Sequence, residues 1–347
     1  MLASLLPDAW FAVQETWLLW LILAGSFALL AFGADRAVSA AARLARALGV
    51  SKVIVGATIV SLGTTTPEAC VSVTAAFRGD GGLALGNAVG SIIVDTGLIF
   101  GLCCALKIIP KDRFVLSRHG WLQTGAGLLL TGLCLGLWAA SGNLDDVWIP
   151  RWAGVLLLAL LVGYLYVSVR WGRRHPGIVP NEAAAGSAAH APGTVVWLLL
   201  AVVGGLALVV AGSDAAIASA KVICERAHVP PAVLAVTLVA FGTSLPELVT
   251  AITALIKGHE ELSVGNIIGA DILNVLFVTG AAASATPVKV EPAFFYLYLP
   301  TMMVVLLLFR LYIFAPGNTF RRWQGVLLMA VYAVSVVLTL RLGVAAP

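Results

Sequence analysis

The chain of 347 residues is 60% hydrophobic and only 11% charged, with 21 Lys and Arg against 17 Asp and Glu and a mean hydropathy of +1.00. Soluble domains carry about 25% charged residues, so a water-facing globule is excluded, and a net charge of +4 is too small an excess to point to nucleic acid. The solvent is largely lipid, and length is better divided by the roughly 20 apolar residues that cross a hydrocarbon core.

The N-terminus, MLASLLPDAWFAVQETW, has no basic region before its apolar run and makes a poor signal peptide. Ten hydrophobic segments are predicted, at about 17–40, 51–77, 83–106, 119–140, 150–170, 194–221, 231–256, 262–285, 293–315 and 323–343. The expected fold is therefore an all-α polytopic membrane protein, with no separate soluble domain between spans. The stretch from Trp171 to Gly193 is rich in Ala, Gly and Pro and reads as a linker. It divides the chain into a five-span half at 1–171, a cytoplasmic linker at 172–193 and a second five-span half at 194–347. Cys70, Cys103, Cys104, Cys134 and Cys224 lack metal-ligand spacing and read as reduced packing residues, without a disulfide framework. His119, His175, His190 and His259 are expected in loops or at span ends, and His228 near the outer surface, solvated.

Loop charges orient the spans. If the chain starts outside, 15 of its 21 Lys and Arg face the cytoplasm, among them Arg36, Arg43, Lys107, Lys111, Arg170, Arg173, Lys257 and Arg321. The positive-inside rule then puts both termini on the extracytoplasmic side of what we expect to be a prokaryotic inner membrane.

An internal repeat appears at an offset of 179 residues. Gly63-Thr-Thr-Thr-Pro-Glu68 lies over Gly242-Thr-Ser-Leu-Pro-Glu247, and Leu83-Ala-Leu-Gly-Asn-Ala-Val-Gly90 over Leu262-Ser-Val-Gly-Asn-Ile-Ile-Gly269. Between Gly63 and Gly101 there are 13 identities in 39 aligned positions without a gap, and Asp35 falls over Asp214. Because each half holds an odd number of spans, the second copy must enter the bilayer from the opposite side. Inverted repeats of this kind build many secondary transporters, with substrate sites near the midplane where discontinuous helices meet.

The repeated segments (63–101 and 242–280) carry acids at bilayer depth: Glu68, Asp95, Glu247 and Asp271. Each costs at least roughly 2.5–3.5 kcal/mol to insert, and the only Lys or Arg inside those four spans is Lys52 at one extreme end, with Arg78 and Lys257 just beyond two others. A cation, a proton or water must compensate. Pro67 frees the carbonyl of Gly63 and loosens that of Thr64; Pro246 does the same for Gly242 and Thr243. Broken-helix carbonyls, the Thr65 and Ser244 hydroxyls and a Glu one turn on are the hard oxygen ligands that Ca²⁺ and Na⁺ accept. The absence of nitrogen and sulfur ligands argues against zinc or copper. The glycines of each Gly-Asn-x-x-Gly allow close helix approach. One turn on, Ser91 and Asp95 (i, i+4) and Asp271 and Asn274 (i, i+3) share helix faces that could look onto the Pro-Glu helices.

These paired segments resemble the two alpha-repeats of the cation/calcium exchanger superfamily, in particular its prokaryotic sodium/calcium antiporters. The resemblance implies ten helices as two inverted five-helix repeats, and alternating access with Ca²⁺ moved against Na⁺. It implies Ca²⁺ ligands at the Glu68 and Glu247 carboxylates and the Thr64 and Thr243 carbonyls. Sodium sites, or shared cation sites, would use Thr65, Ser244, Ser91, Asp95, Asp271 and Asn274. The pattern departs from the family at Ala270, Ile92 and Asp271, and carries an acid at 95 and an amide at 274 where well-known members often have the reverse. A cation/proton antiporter with Asp95 or Asp271 as carrier, and a cation channel, are the alternatives. No set of nucleophile, base and orienter suggests an enzyme. No cofactor is expected, and the expected partners are the bilayer and the transported ions, with no protein partner evident.

Overall fold

A computed structural model describes residues 8–111, 113–174, 192–227 and 242–342. After a short helix at Asp8–Ala12, the membrane helices are α1 (Thr16–Leu48), α2 (Lys52–Phe77), α3 (Gly81–Leu106), α4 (Arg113–Ser141), α5 (Arg151–Arg174), α6 (Pro192–Arg226), α7 (Leu245–Ile256), α8 (Glu260–Ala285), α9 (Phe294–Phe314) and α10 (Arg322–Leu342). Nine of them are long and apolar enough to cross a membrane, and α7 is the shorter, described part of the span expected at 231–256. The rest of that span, most of the linker, and His175, His190 and His228 lie outside the described residues. Several helices overrun the hydrophobic segments: α1 has 33 residues, and α4 begins at Arg113 rather than near 119.

The helices sort by burial. α3 and α8 are largely enclosed, α2 and α9 less so, while α1, α4, α5, α6 and α10 turn most of their length outward. That outward surface carries Trp17, Trp20, Phe27, Trp121, Trp152, Trp197 and Trp323, all exposed. Apolar and aromatic side chains on the outside are what a lipid solvent asks for. The main core joins both halves, with Ile92, Ile99 and Phe100 of α3 packed with Ile267, Ile272, Phe294 and Phe309 of the second half. α1 and α6 form an antiparallel pair with smaller clusters of their own. They approach through glycine: a Cβ on Gly205 would stand 2.7 Å from the Ala37 nitrogen, and one on Gly33 2.8 Å from the Gly205 carbonyl.

The connections between the helices add short extended segments. Four short strands, β1 (Ile109–Pro110), β2 (Val147–Ile149), β3 (Val288–Val290) and β4 (Thr319–Phe320), pair as β1 with β4 and β2 with β3, both antiparallel. Each ladder joins one strand from either half. These connections follow helix ends, where backbone groups need partners outside the helix.

Candidate functional site

α2 positions the first Pro-Glu motif. Gly56–Val60 is wound as a π-helical turn and Ser61–Phe77 continues as α-helix straight through Pro67. The broken helix expected here is thus a continuous one. In the second copy the chain does break: Ser244 caps α7 from outside and Pro246 sits in the first turn, where its missing N–H costs nothing. Ser244-Leu-Pro-Glu247 has the spacing of a capping box, but Ser244 makes no side-chain cap bond; its buried hydroxyl lies against Asp95 instead. Glu247 therefore stands in the first turn of α7, at the positive end of a helix, a position that favours a carboxylate.

Four carboxylates are brought together from both halves. Glu68, Asp95, Glu247 and Asp271 are each no more than 2% exposed. Glu68 feels the charge of Glu247 and of Asp95, and Asp95 feels Glu247 and Asp271. Among the described residues no Lys or Arg pairs with any of them; the pairs Lys107–Glu260 and Lys257–Asp35 lie elsewhere. Few donors reach the acids. Thr65 Oγ1 donates to Glu247 Oε1 at 3.3 Å, and Thr96 Oγ1 and Gln123 Nε2 both donate to Asp271 Oδ2, the latter at 2.5 Å. Both oxygens of Glu68, both of Asp95, Glu247 Oε2 and Asp271 Oδ1 are buried with no donor. Such acceptors are expensive to bury unless a cation, a proton or water compensates them.

The other expected residues lie in the same helices. Thr64, Thr65, Ser91, Thr243, Ser244 and Asn274 are all buried. The Thr64 hydroxyl bridges the halves, 3.4 Å from Asn266 Oδ1, and also reaches Glu247. Ser91 Oγ and both side-chain polar atoms of Asn274 have no partner. Ser91, Thr243 and Asn274 make no hydrogen bond that ties them to the carboxylates.

Both Gly-Asn helices pass into π-helical turns after their motif. Ile93–Phe100 and Asn274–Thr279 are π-helical, and Thr279 Oγ1 reaches back five residues to the Asn274 carbonyl at 3.0 Å. Asp95 and Asn274 thus lie on widened turns, a feature that recurs at functional sites. Asp271 is held against α3 and α4 by Thr96 and Gln123.

Sequence reasoning missed four residues. Asn87 Nδ2 donates to the Glu68 main-chain carbonyl at 3.1 Å and to Ser72 Oγ at 3.0 Å, so the Asn of the first Gly-Asn-x-x-Gly braces α2. Asn266, its repeat counterpart, reaches Thr64 of the other half. The signal was in the motif but was credited to the glycines. Thr96 and Gln123 stand outside both motifs, and a lone Gln in an apolar span was their only cue. His119 also corrects an expectation: it is fully buried inside α4, its ring against Tyr164 and Trp171 of α5.

Among the described residues, no three His, Cys, Asp or Glu side chains converge closely enough to hold a metal by themselves. A cation here would draw on hydroxyl, amide and main-chain oxygens as well as carboxylates, a hard and mixed donor set of the kind Ca²⁺ and Na⁺ take.

Comparison with known proteins follows the same line. The profile described as sodium/calcium exchanger protein matches residues 18–170 and 197–341. The inner membrane protein YrbG of Escherichia coli is 32% identical, over 88% of this chain and 92% of its own. The sodium/calcium exchanger MaX1 of Methanosarcina acetivorans is 27% identical, over 91% and 97%. The solved structure of the sodium-calcium exchanger NCX_Mj, soaked with Na⁺ and without Ca²⁺, superposes with a TM-score of 0.76 at 27% identity, covering 93% of this chain and 99% of that one.

Proposed function

The chain belongs to the sodium/calcium exchanger protein family, and from that premise we propose that the four-carboxylate cluster between α2, α3, α7 and α8 is where its ions compete. The protein is a multi-pass integral membrane transporter, a secondary antiporter that exchanges Ca²⁺ for Na⁺ through ten helices arranged as inverted repeats. The observation that carries the site is the set of buried carboxylate oxygens, drawn from both halves and lacking donors.

In this reading Ca²⁺ is held by the Glu68 and Glu247 carboxylates with the main-chain carbonyls of Thr64 and Thr243. The Thr65, Ser244 and Ser91 hydroxyls, Asp95, Asp271 and Asn274 serve Na⁺ or are shared. One Ca²⁺ and several Na⁺ neutralise the same carboxylates and exclude each other. Moving bare charge through a lipid-facing state is costly, so the protein changes its open side only when loaded, and exchange follows from that restriction. Each half, 1–171 and 194–347, contributes one Pro-Glu helix and one Gly-Asn helix, and 172–193 joins them on the cytoplasmic side. The basic loops support both termini being extracytoplasmic.

The test is calcium flux in proteoliposomes with Na⁺, K⁺ and H⁺ gradients imposed separately. An outward Na⁺ gradient should drive Ca²⁺ uptake and a pH gradient alone should not. Equal uptake with and without the Na⁺ gradient would defeat the assignment.

A further inference from the structure

We propose that Thr96 of α3 and Gln123 of α4, from the first half, and Asp271 of α8, from the second, form a Na⁺ subsite with no counterpart at the repeat-related positions; the proposal rests on the exchange reading above. Gln123 is 1% exposed and spends its amide nitrogen on Asp271 Oδ2 at 2.5 Å and on Thr96 Oγ1 at 3.2 Å. Thr96 donates to the same Oδ2. Two donors on one carboxylate oxygen fix the side chain and leave the other oxygen turned away from them. That oxygen, Asp271 Oδ1, and the amide oxygen Gln123 Oε1 are both buried with no partner. An uncharged amide oxygen and a single carboxylate oxygen on side chains locked to each other suit a monovalent cation. The charged group facing Asp271 is Asp95 of α3. The nearest titratable side chain on α4, His119, is engaged with aromatic rings of α5.

The repeat argues that this cluster is an addition and not a requirement of the fold. At the offset of 179, Asp271 falls over Ile92 and Thr96 over Val275, both apolar and buried. α9, the repeat counterpart of α4, carries no acid or amide side chain between Phe294 and Phe314. At the repeat-related positions the same helices carry buried apolar side chains, Ile92, Val275 and Met302. A polar trio that the architecture does without needs a purpose of its own, and burying it unbonded would otherwise cost stability.

The subsite predicts a split between two transport modes in proteoliposomes. Na⁺-driven Ca²⁺ uptake requires Na⁺ to bind, whereas Ca²⁺/Ca²⁺ exchange does not. Gln123→Leu should raise the half-saturating Na⁺ concentration about tenfold, the scale of one hydrogen bond to a charged group. The ratio of Na⁺-driven to Ca²⁺/Ca²⁺ rates should fall with it. Thr96→Val should shift the ratio in the same direction, and Gln123→Leu should add little in an Asp271→Asn background. Equal losses in both modes would mean a packing role and overturn the subsite, as would an unchanged Na⁺ half-saturation. The exchange reading itself fails separately, if the unsubstituted protein shows no Na⁺-driven uptake.

Discussion

Gly269 tests how the two halves hold the site against each other. α8 crosses α2 at this point, and a Cβ on Gly269 would lie 2.5 Å from Ala57 Cα, 2.5 Å from Ser61 Oγ and 2.6 Å from the Ala57 carbonyl oxygen. Carbon atoms rest at about 3.5–4.0 Å, so a methyl group forces the helices apart by about 1 Å, and two of the three obstructing atoms are backbone that cannot turn aside. Overpacking of this order costs about 1–3 kcal/mol, or roughly 5- to 150-fold in an equilibrium constant. The strain falls on the contacts that join the halves, Thr64 to Asn266 at 3.4 Å and Thr65 to Glu247 at 3.3 Å, which have no length to spare. Gly269→Ala should therefore raise the Ca²⁺ concentration for half-maximal uptake at least about fivefold and lower the melting temperature of the purified protein. Gly132 of α4 has nothing within 4 Å of its Cβ position, so Gly132→Ala supplies the comparison with the same change in helix propensity. Radioactive calcium uptake and fluorescence-detected melting would read both. If the two variants behave alike, the close crossing does not set the site.

Glu68→Gln and Glu247→Gln should each reduce Na⁺-driven calcium uptake to background while melting stays level or rises, because a neutral amide of the same shape replaces a buried charge; near-normal uptake in either variant removes that residue from the site. His259, between α7 and α8, is held below its ordinary value of 6.5 first by desolvation and then by the charge of Lys52, whose Nζ lies 3.2 Å from Nδ1. The fold thus favours the neutral ring, and its contribution is present above the unfolded value and lost as pH falls from about 6.5 toward the lowered one. The melting temperature should drop less between pH 7.5 and about 5.5 in His259→Gln than in the unsubstituted protein; an identical slope would place the acid sensitivity elsewhere.

Much of the site was legible because the repeat marks it twice. Glu68 and Glu247, each beside a proline at the same offset, could be paired without coordinates, and so could Thr65 with Ser244. The phase of the helices was not legible. Spacing by α-helical periods does not foresee the π-helical turns over Ile93–Phe100 and Asn274–Thr279, which change the phase of the residues that follow Ile92 and Leu273. The helix breaks before Pro246 and runs on through Pro67 although the motifs are nearly the same. Gln123 was invisible for another reason: its partners are 27 and 148 residues away, and no local pattern reports contacts at that range.

By itself the sequence determined the solvent, the number of spans, the inverted halves and the identity of the acids that lipid does not explain. Those follow from transfer energies and from parity, which depend on composition and order alone. Only the tertiary structure decided which oxygens are left without donors, which acids feel one another, and that Asp271 is tied to α4 rather than to its neighbours in the chain. The physical reason is that a carboxylate in low dielectric is governed by the few groups within hydrogen-bond reach, and those groups come from helices brought together by folding.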